Sequence, residues 1–299
     1  MPGPPGITGY DFPGLENLHN DIYPSISAAQ THSLKQPGKV VLITGASRGI
    51  GRAIALQYAH ADVSCLIISG RSSSTLAEVE QDIRKINAGT RVLKFAVNVT
   101  DSTAVHACAE EVTKKEGRLD ILINNAGGTD PWKHLTEAKP SDWWSTLEIN
   151  LKGPYLFLHA FLPLLVATAE KYKVVTDVIN MSSIGALMIH AGASSYGISK
   201  LALLRLSEFV EAEYGGSRVN VVSLHPGGVL TELGSSEESI RPYMIDTAEL
   251  AGGFCVWITA EARRWLAGRY LAATWDVEKL ESMREEIVDG DKLRVRLVV

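Results

Sequence analysis

The chain has 299 residues, of which 45% are hydrophobic, and a formal net charge of −5. That is enough apolar material for one large α/β core or two small ones. The acidic balance gives no basic stripe for a nucleic-acid partner, and no apolar run approaches the ~18 residues of a membrane span.

Residues 1–9 carry neither a basic region nor an apolar block, so no cleaved secretory leader is expected and the expected setting is cytoplasmic. Half of the twelve prolines fall before Gly38, in a stretch without sustained periodicity. Residues 1–38 are therefore expected to be an irregular arm, laid on the surface through Phe12, Ile22, Tyr23 and Ile26.

From Lys39 the pattern alternates strand and helix. The expected strands are 40–43, 65–69, 92–97, 121–124, 174–181, 219–224 and 268–273. The expected helices follow the first glycine turn and cover 76–87, 103–115, about 152–168 and about 195–214. Alternation of this kind means a parallel sheet with crossover helices on both faces, a doubly wound α/β (Rossmann-type) domain over 39–276. Asp246-Thr247-Ala248-Glu249 reads as a capping box opening a further helix. Residues 277–299 form a charged tail, in which Leu293, Val295 and Leu297 alternate with arginines at strand-like spacing or fray as a terminus.

The three cysteines are far apart and without a Cys-x-x-Cys pair, and the eight histidines lack zinc-site spacing. Buried thiols and no metal are expected.

Chemistry concentrates at two places. The first strand runs into Thr44-Gly45-Ala46-Ser47-Arg48-Gly49-Ile50-Gly51. At a strand-to-helix turn, bare N–H groups and the positive end of a helix dipole hold phosphate, and glycine admits a pyrophosphate close to the backbone. The second strand ends in Arg71 where many dinucleotide folds have an acid. Arg71 and Arg48 match a 2′-phosphate with their guanidinium forks, which favours NADP(H) over NAD(H). At the second place, Tyr196 and Lys200 stand one helical turn apart. An ammonium near a phenol favours phenolate, so Tyr196 is placed to exchange a proton with a carbonyl or alcohol oxygen. Ser183, at the end of a strand, supplies a hydrogen bond to the same oxygen.

These motifs together resemble the short-chain dehydrogenase/reductase family, in its Thr-Gly-x-x-x-Gly-x-Gly, Tyr-x-x-x-Lys subgroup, over about residues 39–275. The resemblance implies a tetrad of Asn150, Ser183, Tyr196 and Lys200, with Lys200 also on the nicotinamide ribose. It implies cofactor contacts along Gly45, Ser47, Arg48, Gly49, Ile50 and Gly51, and at Asn125, Ala126 and Gly127 of the Asn-Asn-Ala-Gly motif. Pro226, Gly227, Val229 and Thr231 match the family's Pro-Gly loop beside the nicotinamide. Asn98-Val99 stands where the family often has Asp-Val, leaving an uncharged amide oxygen for the adenine amino group. Homodimers or homotetramers assembled through the two long helices are implied as well. The arm and the tail look similar to reductases of filamentous fungi, several of them biosynthetic.

The expected function is hydride transfer between NADP(H) and a carbonyl or secondary alcohol of a bulky, largely apolar small molecule. The alternatives are non-redox use of the same tyrosine in dehydration, isomerisation or cyclisation, and nucleotide binding without turnover. Loops 128–136, 184–194 and 230–246 are expected to line the substrate end with Trp132, His134, Leu187, Met188, His190, Leu233, Tyr243 and Met244. The third loop, with Gly234 and a serine cluster, has the composition of a lid.

Overall fold

The strands are β1 Val40–Ile43, β2 Cys65–Gly70, β3 Arg91–Ala96, β4 Ile121–Asn124, β5 Thr176–Met181, β6 Val219–His225 and β7 Tyr270–Ala272. All pair in parallel, in the order β3-β2-β1-β4-β5-β6-β7. The computed structural model describes residues 14, 15, 18–231 and 238–297. The helices are α1 Gly49–His60, α2 Ser73–Ile86, α3 Ser102–Glu116, α4 Pro140–Leu147, α5 Gly153–Tyr172, α6 Ser194–Tyr214, α7 Ala248–Ala260, α8 Val277–Ser282 and α9 Arg284–Asp289.

The period of 2 along each strand sorts its side chains into two cores. Val41, Ile43, Leu66, Ile68, Ile121 and Ile123 join Ile54 of α1, Ile83 of α2 and Phe254 of α7. Val40, Leu42, Ile67 and Leu122 join Val112 of α3 and Phe157 and Phe161 of α5. Every strand except the edge strand β3 is buried throughout, as helices on both faces of a parallel sheet require. The order reverses between β1 and β4, which opens a crevice at their carboxyl ends.

Four expectations change. First, the long helix expected from about 152 is present as α5, but it is led by a helix that was not expected: α4 opens with Pro140 in its first turn, and a π turn, Glu148–Lys152, joins it to α5. The run 140–172 is long and apolar enough to cross a membrane by length and composition alone, contrary to the expectation that no such run exists. Here half of its most apolar window is buried, with Phe157, Phe161 and Leu165 on the sheet.

Second, the arm enters the core. Leu15, Ile26, Ala28 and Leu34 belong to the same cluster as Val41, with Ile22 and Tyr23 packed against it; Phe12 lies outside the described residues.

Third, the tail forms α8 and α9, whose Leu280 and Ile287 are fully buried. Among the described residues beyond them there is no strand. Instead the Leu293 carbonyl accepts the Tyr270 N–H at 2.8 Å, and Arg294 donates to Ala267 O at 3.0 Å, covering the outer edge of β7.

Fourth, Thr247 rather than Asp246 caps α7, accepting the Leu250 N–H at 3.3 Å. The carboxylate of Asp246 is used elsewhere. All three cysteines are buried, and burial pushes the thiols of Cys65 and Cys108 up to about 12.

Candidate active site

The glycine turn sits at the mouth of the crevice. Gly45 has φ +65°, and a Cβ there would lie 2.8 Å from Ala126 Cα; a Cβ on Gly51 would collide with the Gly45 carbonyl. The turn is held from β4: Thr44 Oγ1 accepts the N–H groups of Asn125 and Ala126, both at 3.0 Å. Asn125 Nδ2 donates to Thr44 O at 2.9 Å and Gly45 O at 3.2 Å. The amide of Asn125 is therefore spent on shaping the turn, which makes it a support for the loop rather than a direct hand on a nucleotide. No side chain caps the N-terminus of α1, so the turn directs uncapped N–H groups and a helix dipole toward a bound phosphate.

Ala46 N–H donates to Ser69 O at 2.9 Å, which seats the turn on the end of β2 next to Arg71. Arg48 and Arg71 are both exposed, and Arg71 has no hydrogen-bond or ion-pair partner among the described residues. Ser47 lies beside Gly70, and Thr231 beside Gly49. Ile50 packs partly into the core.

Asn98 departs from expectation. Its Oδ1 accepts from Thr100 N at 3.3 Å and Thr100 Oγ1 at 3.1 Å, so the oxygen assigned to adenine is already occupied within its own turn. Val99 lies against Gly153.

At the other end of the crevice the tetrad candidates converge. Asn150 is fully buried in the π turn; π turns recur at functional sites. Its amide donates to Gly128 O at 2.8 Å and Ser199 Oγ at 3.0 Å, and accepts the Gly128 N–H at 2.9 Å. Gly127 lies between Asn150 and Lys200: a Cβ there would stand 3.3 Å from Asn150 Oδ1 and 3.5 Å from Lys200 Nζ. Lys200 is 4% exposed, donates to Met181 O at 2.9 Å, and its Nζ stands 5.7 Å from the Tyr196 ring centroid. Ser183 Oγ accepts the Gly185 N–H at 3.0 Å and hydrogen-bonds the Tyr196 phenol. Ser182 faces away, donating to Lys200 O at 3.0 Å.

The electrostatics invert one expectation. Burial pushes the Tyr196 phenol up, and only the Ser183 hydrogen bond opposes it. Burial brings the Lys200 ammonium down to about 8. Burial is the larger influence at Tyr196 and the one influence at Lys200, so the dry setting favours the neutral form of the phenol.

One residue here had escaped notice in the sequence. His225, at the end of β6, is buried and accepts the Ile184 N–H on Nδ1 at 3.1 Å. Burial holds it neutral, its pKa lowered to about 3, and it braces the chain immediately after Ser183. His225 precedes Pro226-Gly227 directly, which was the available signal. Pro226, Gly227 and Val229 are buried beside it.

At the substrate end, loops 128–136 and 184–194 meet. Lys133 N–H donates to Gly192 O at 3.1 Å, and the rings of Trp132 and His190 lie 4.8 Å apart. Leu187 is turned into the core instead, and His134 is exposed. Met244 is half-buried and Tyr243 is exposed; Leu233 and Gly234 lie outside the described residues.

A nucleotide-binding turn at the β1/β4 switch point, with Tyr-x-x-x-Lys and a strand-end serine across the crevice, coincides with a match of the short chain dehydrogenase family model to residues 39–241. The chain belongs to the short-chain dehydrogenase family. Short chain dehydrogenase mpl6 of Monascus purpureus is 44% identical over 292 residues, 96% of this chain and 97% of its own, which bears out the likeness to fungal members. Two solved short-chain dehydrogenase-like structures share the fold and differ in nucleotide. One from Shigella flexneri, complexed with NADP, is 24% identical with TM-score 0.73, covering 81% of this chain and 99% of its own. An NADH-dependent reductase complexed with NAD is 22% identical with TM-score 0.71, covering 82% and 98%.

Proposed function

We propose that this short-chain dehydrogenase uses NADP(H) to reduce a carbonyl group, or oxidise a secondary alcohol, on a bulky and largely apolar small molecule. The observation that carries this is a pair of meetings at the end of the crevice that the glycine turn opens: Asn150 and Lys200 beside Gly127, and Ser183 and Tyr196 beside Gly185, with the Lys200 ammonium 5.7 Å from the Tyr196 ring centroid.

The residues present fit a dinucleotide. The bare turn from Gly45 to Gly51 would hold its pyrophosphate, Arg48 and Arg71 a 2′-phosphate, and Val99 the adenine side. Ala126 and Gly127 would flank its middle, Lys200 would reach the nicotinamide ribose, and Val229 and Thr231 the nicotinamide. The cofactor, when bound, supplies or takes up the hydride.

Tyr196 gives its phenolic proton to the substrate oxygen as negative charge builds there. Ser183, whose lone pair takes the Gly185 N–H, turns its own O–H toward that oxygen and the tyrosine. Lys200 stabilises the phenolate left behind, and Asn150 fixes the Gly128 backbone that walls the site.

The substrate wall of Trp132, His190 and Met244 supports an apolar partner. The exposed apolar side chains Ile198, Leu201 and Phe209 of α6 and Tyr155 of α5 support assembly into a homodimer or homotetramer through these helices. The cytoplasm is the setting in which three unpaired buried cysteines fit.

The test is a fluorescence titration of purified protein with NADPH and NADH, followed by a screen of bulky ketones for loss of reduced-nicotinamide absorbance. NADPH-selective binding with turnover of any ketone supports the proposal; binding without turnover across the panel would favour non-redox use of the site.

A further inference from the structure

Asp246 is 7% exposed, and its carboxylate joins two distant parts of the chain. Oδ2 accepts the Gly228 N–H at 2.6 Å, and the Asp246 N–H returns a bond to Gly228 O at 2.9 Å. Val229 and Asp246 pair as a parallel bridge. On its other side, Oδ1 accepts Asn20 Nδ2 at 2.5 Å. The arm grips the next residue as well: Asn20 O accepts the Thr247 N–H at 2.8 Å, and Asp21 Oδ1 accepts the Thr247 hydroxyl at 2.7 Å.

The arm is itself anchored. His19 N–H donates to Thr274 O at 2.8 Å, and His19 Nε2 pairs with Asp276 at 2.8 Å while its ring stacks on Tyr23 at 3.6 Å. Tyr23 accepts the Val277 N–H on its hydroxyl at 2.9 Å. A buried carboxylate with two donors in fixed directions is a stiff strut, because losing either donor leaves charge unpaired in a dry place.

We infer that Asp246 is a positioning residue for the nicotinamide end of the cofactor site, and that the N-terminal arm, through Asn20, holds it in register. This rests on reading residues 226–231 as the nicotinamide loop. The adenosine half of the cofactor is assigned to other elements, the glycine turn and Arg71, so the two halves report separately.

The experiment uses the full chain and two ligands: NADPH, and the adenosine fragment 2′,5′-ADP, which lacks the nicotinamide. Asn20→Ala and Asp246→Asn should each weaken NADPH about tenfold, the size of a lost hydrogen bond to a charged group. Binding of 2′,5′-ADP should stay within about twofold of wild type, inside the scatter of a silent change.

The double variant Asn20→Asp with Asp246→Asn exchanges donor and acceptor between the two positions. It leaves an amide oxygen for the Gly228 N–H and should recover most of the NADPH affinity lost in Asp246→Asn. Equal loss of both ligands, no loss of either, or a double variant weaker than Asp246→Asn would each overturn the strut. Failure of the wild type to bind either ligand would instead overturn the cofactor reading, and the strut with it.

Discussion

The side-chain amide of Asn150 brackets the backbone of Gly128, donating to its carbonyl at 2.8 Å and accepting its N–H at 2.9 Å. Asn150 sits in a π turn and Gly128 follows β4, so this pair ties the π turn to the chain that leaves the central sheet beside the active site. Asn150→Ala leaves both Gly128 groups without the side chain that satisfies them. A loss of about 1–3 kcal/mol in stability is expected, with a fall in kcat at little change in NADPH affinity. Thermal melts and steady-state kinetics measure both; an unaltered kcat would argue against the bracket.

Tyr196→Phe removes the phenol that hydrogen-bonds Ser183 and keeps the ring. Turnover should fall by about 10²–10⁴, the range for a lost general acid, while NADPH titrates as in wild type. Near-normal turnover in this variant would sink the proton-transfer role.

Lys200 has a pH signature. Its ammonium is lowered from 10.5 to about 8 by burial. Between those values the unfolded chain keeps a proton that the folded chain has shed, so the contribution of this group to stability rises with pH. Below about 8 the cost of burying the charge is fully present. Comparing Tm for wild type and Lys200→Met from pH 7 to pH 10 should show the difference moving in favour of wild type. A difference independent of pH would mean that Lys200 does not titrate in this window.

Arg71 is exposed beside the glycine turn. Arg71→Glu should weaken NADPH by more than about tenfold, as expected when a charge-assisted bond becomes a repulsion, and should leave NADH much less affected. Paired titrations with the two nucleotides decide it; equal losses would remove Arg71 from the choice of cofactor.

The doubly wound sheet was legible because its signals are local. Short runs such as Val40–Ile43 and Ile121–Ile123 are apolar throughout, as strands buried on both faces must be, and glycines follow each within a few residues. Ser183, Tyr196 and Lys200 were legible by spacing, since one helical turn and one strand end carry them. The electrostatic state of the pair was not: Tyr196 is raised rather than lowered, because burial outweighs the Ser183 hydrogen bond that opposes it. The long helix was legible from about 152, but α4 and the π turn at Asn150 that lead into it were not, since a π turn breaks the helical period that a sequence pattern follows.

Periodicity and motif spacing by themselves determined which segments become strands and helices and which residues are candidates for the site, since strand period and helical spacing act over a few residues. Only the tertiary structure decided that the arm enters the core, that the tail covers β7, and that Asn20 meets Asp246 across the chain. Such contacts depend on long-range packing, where a buried polar group is satisfied by whichever partner the fold brings to it and no local pattern records the choice.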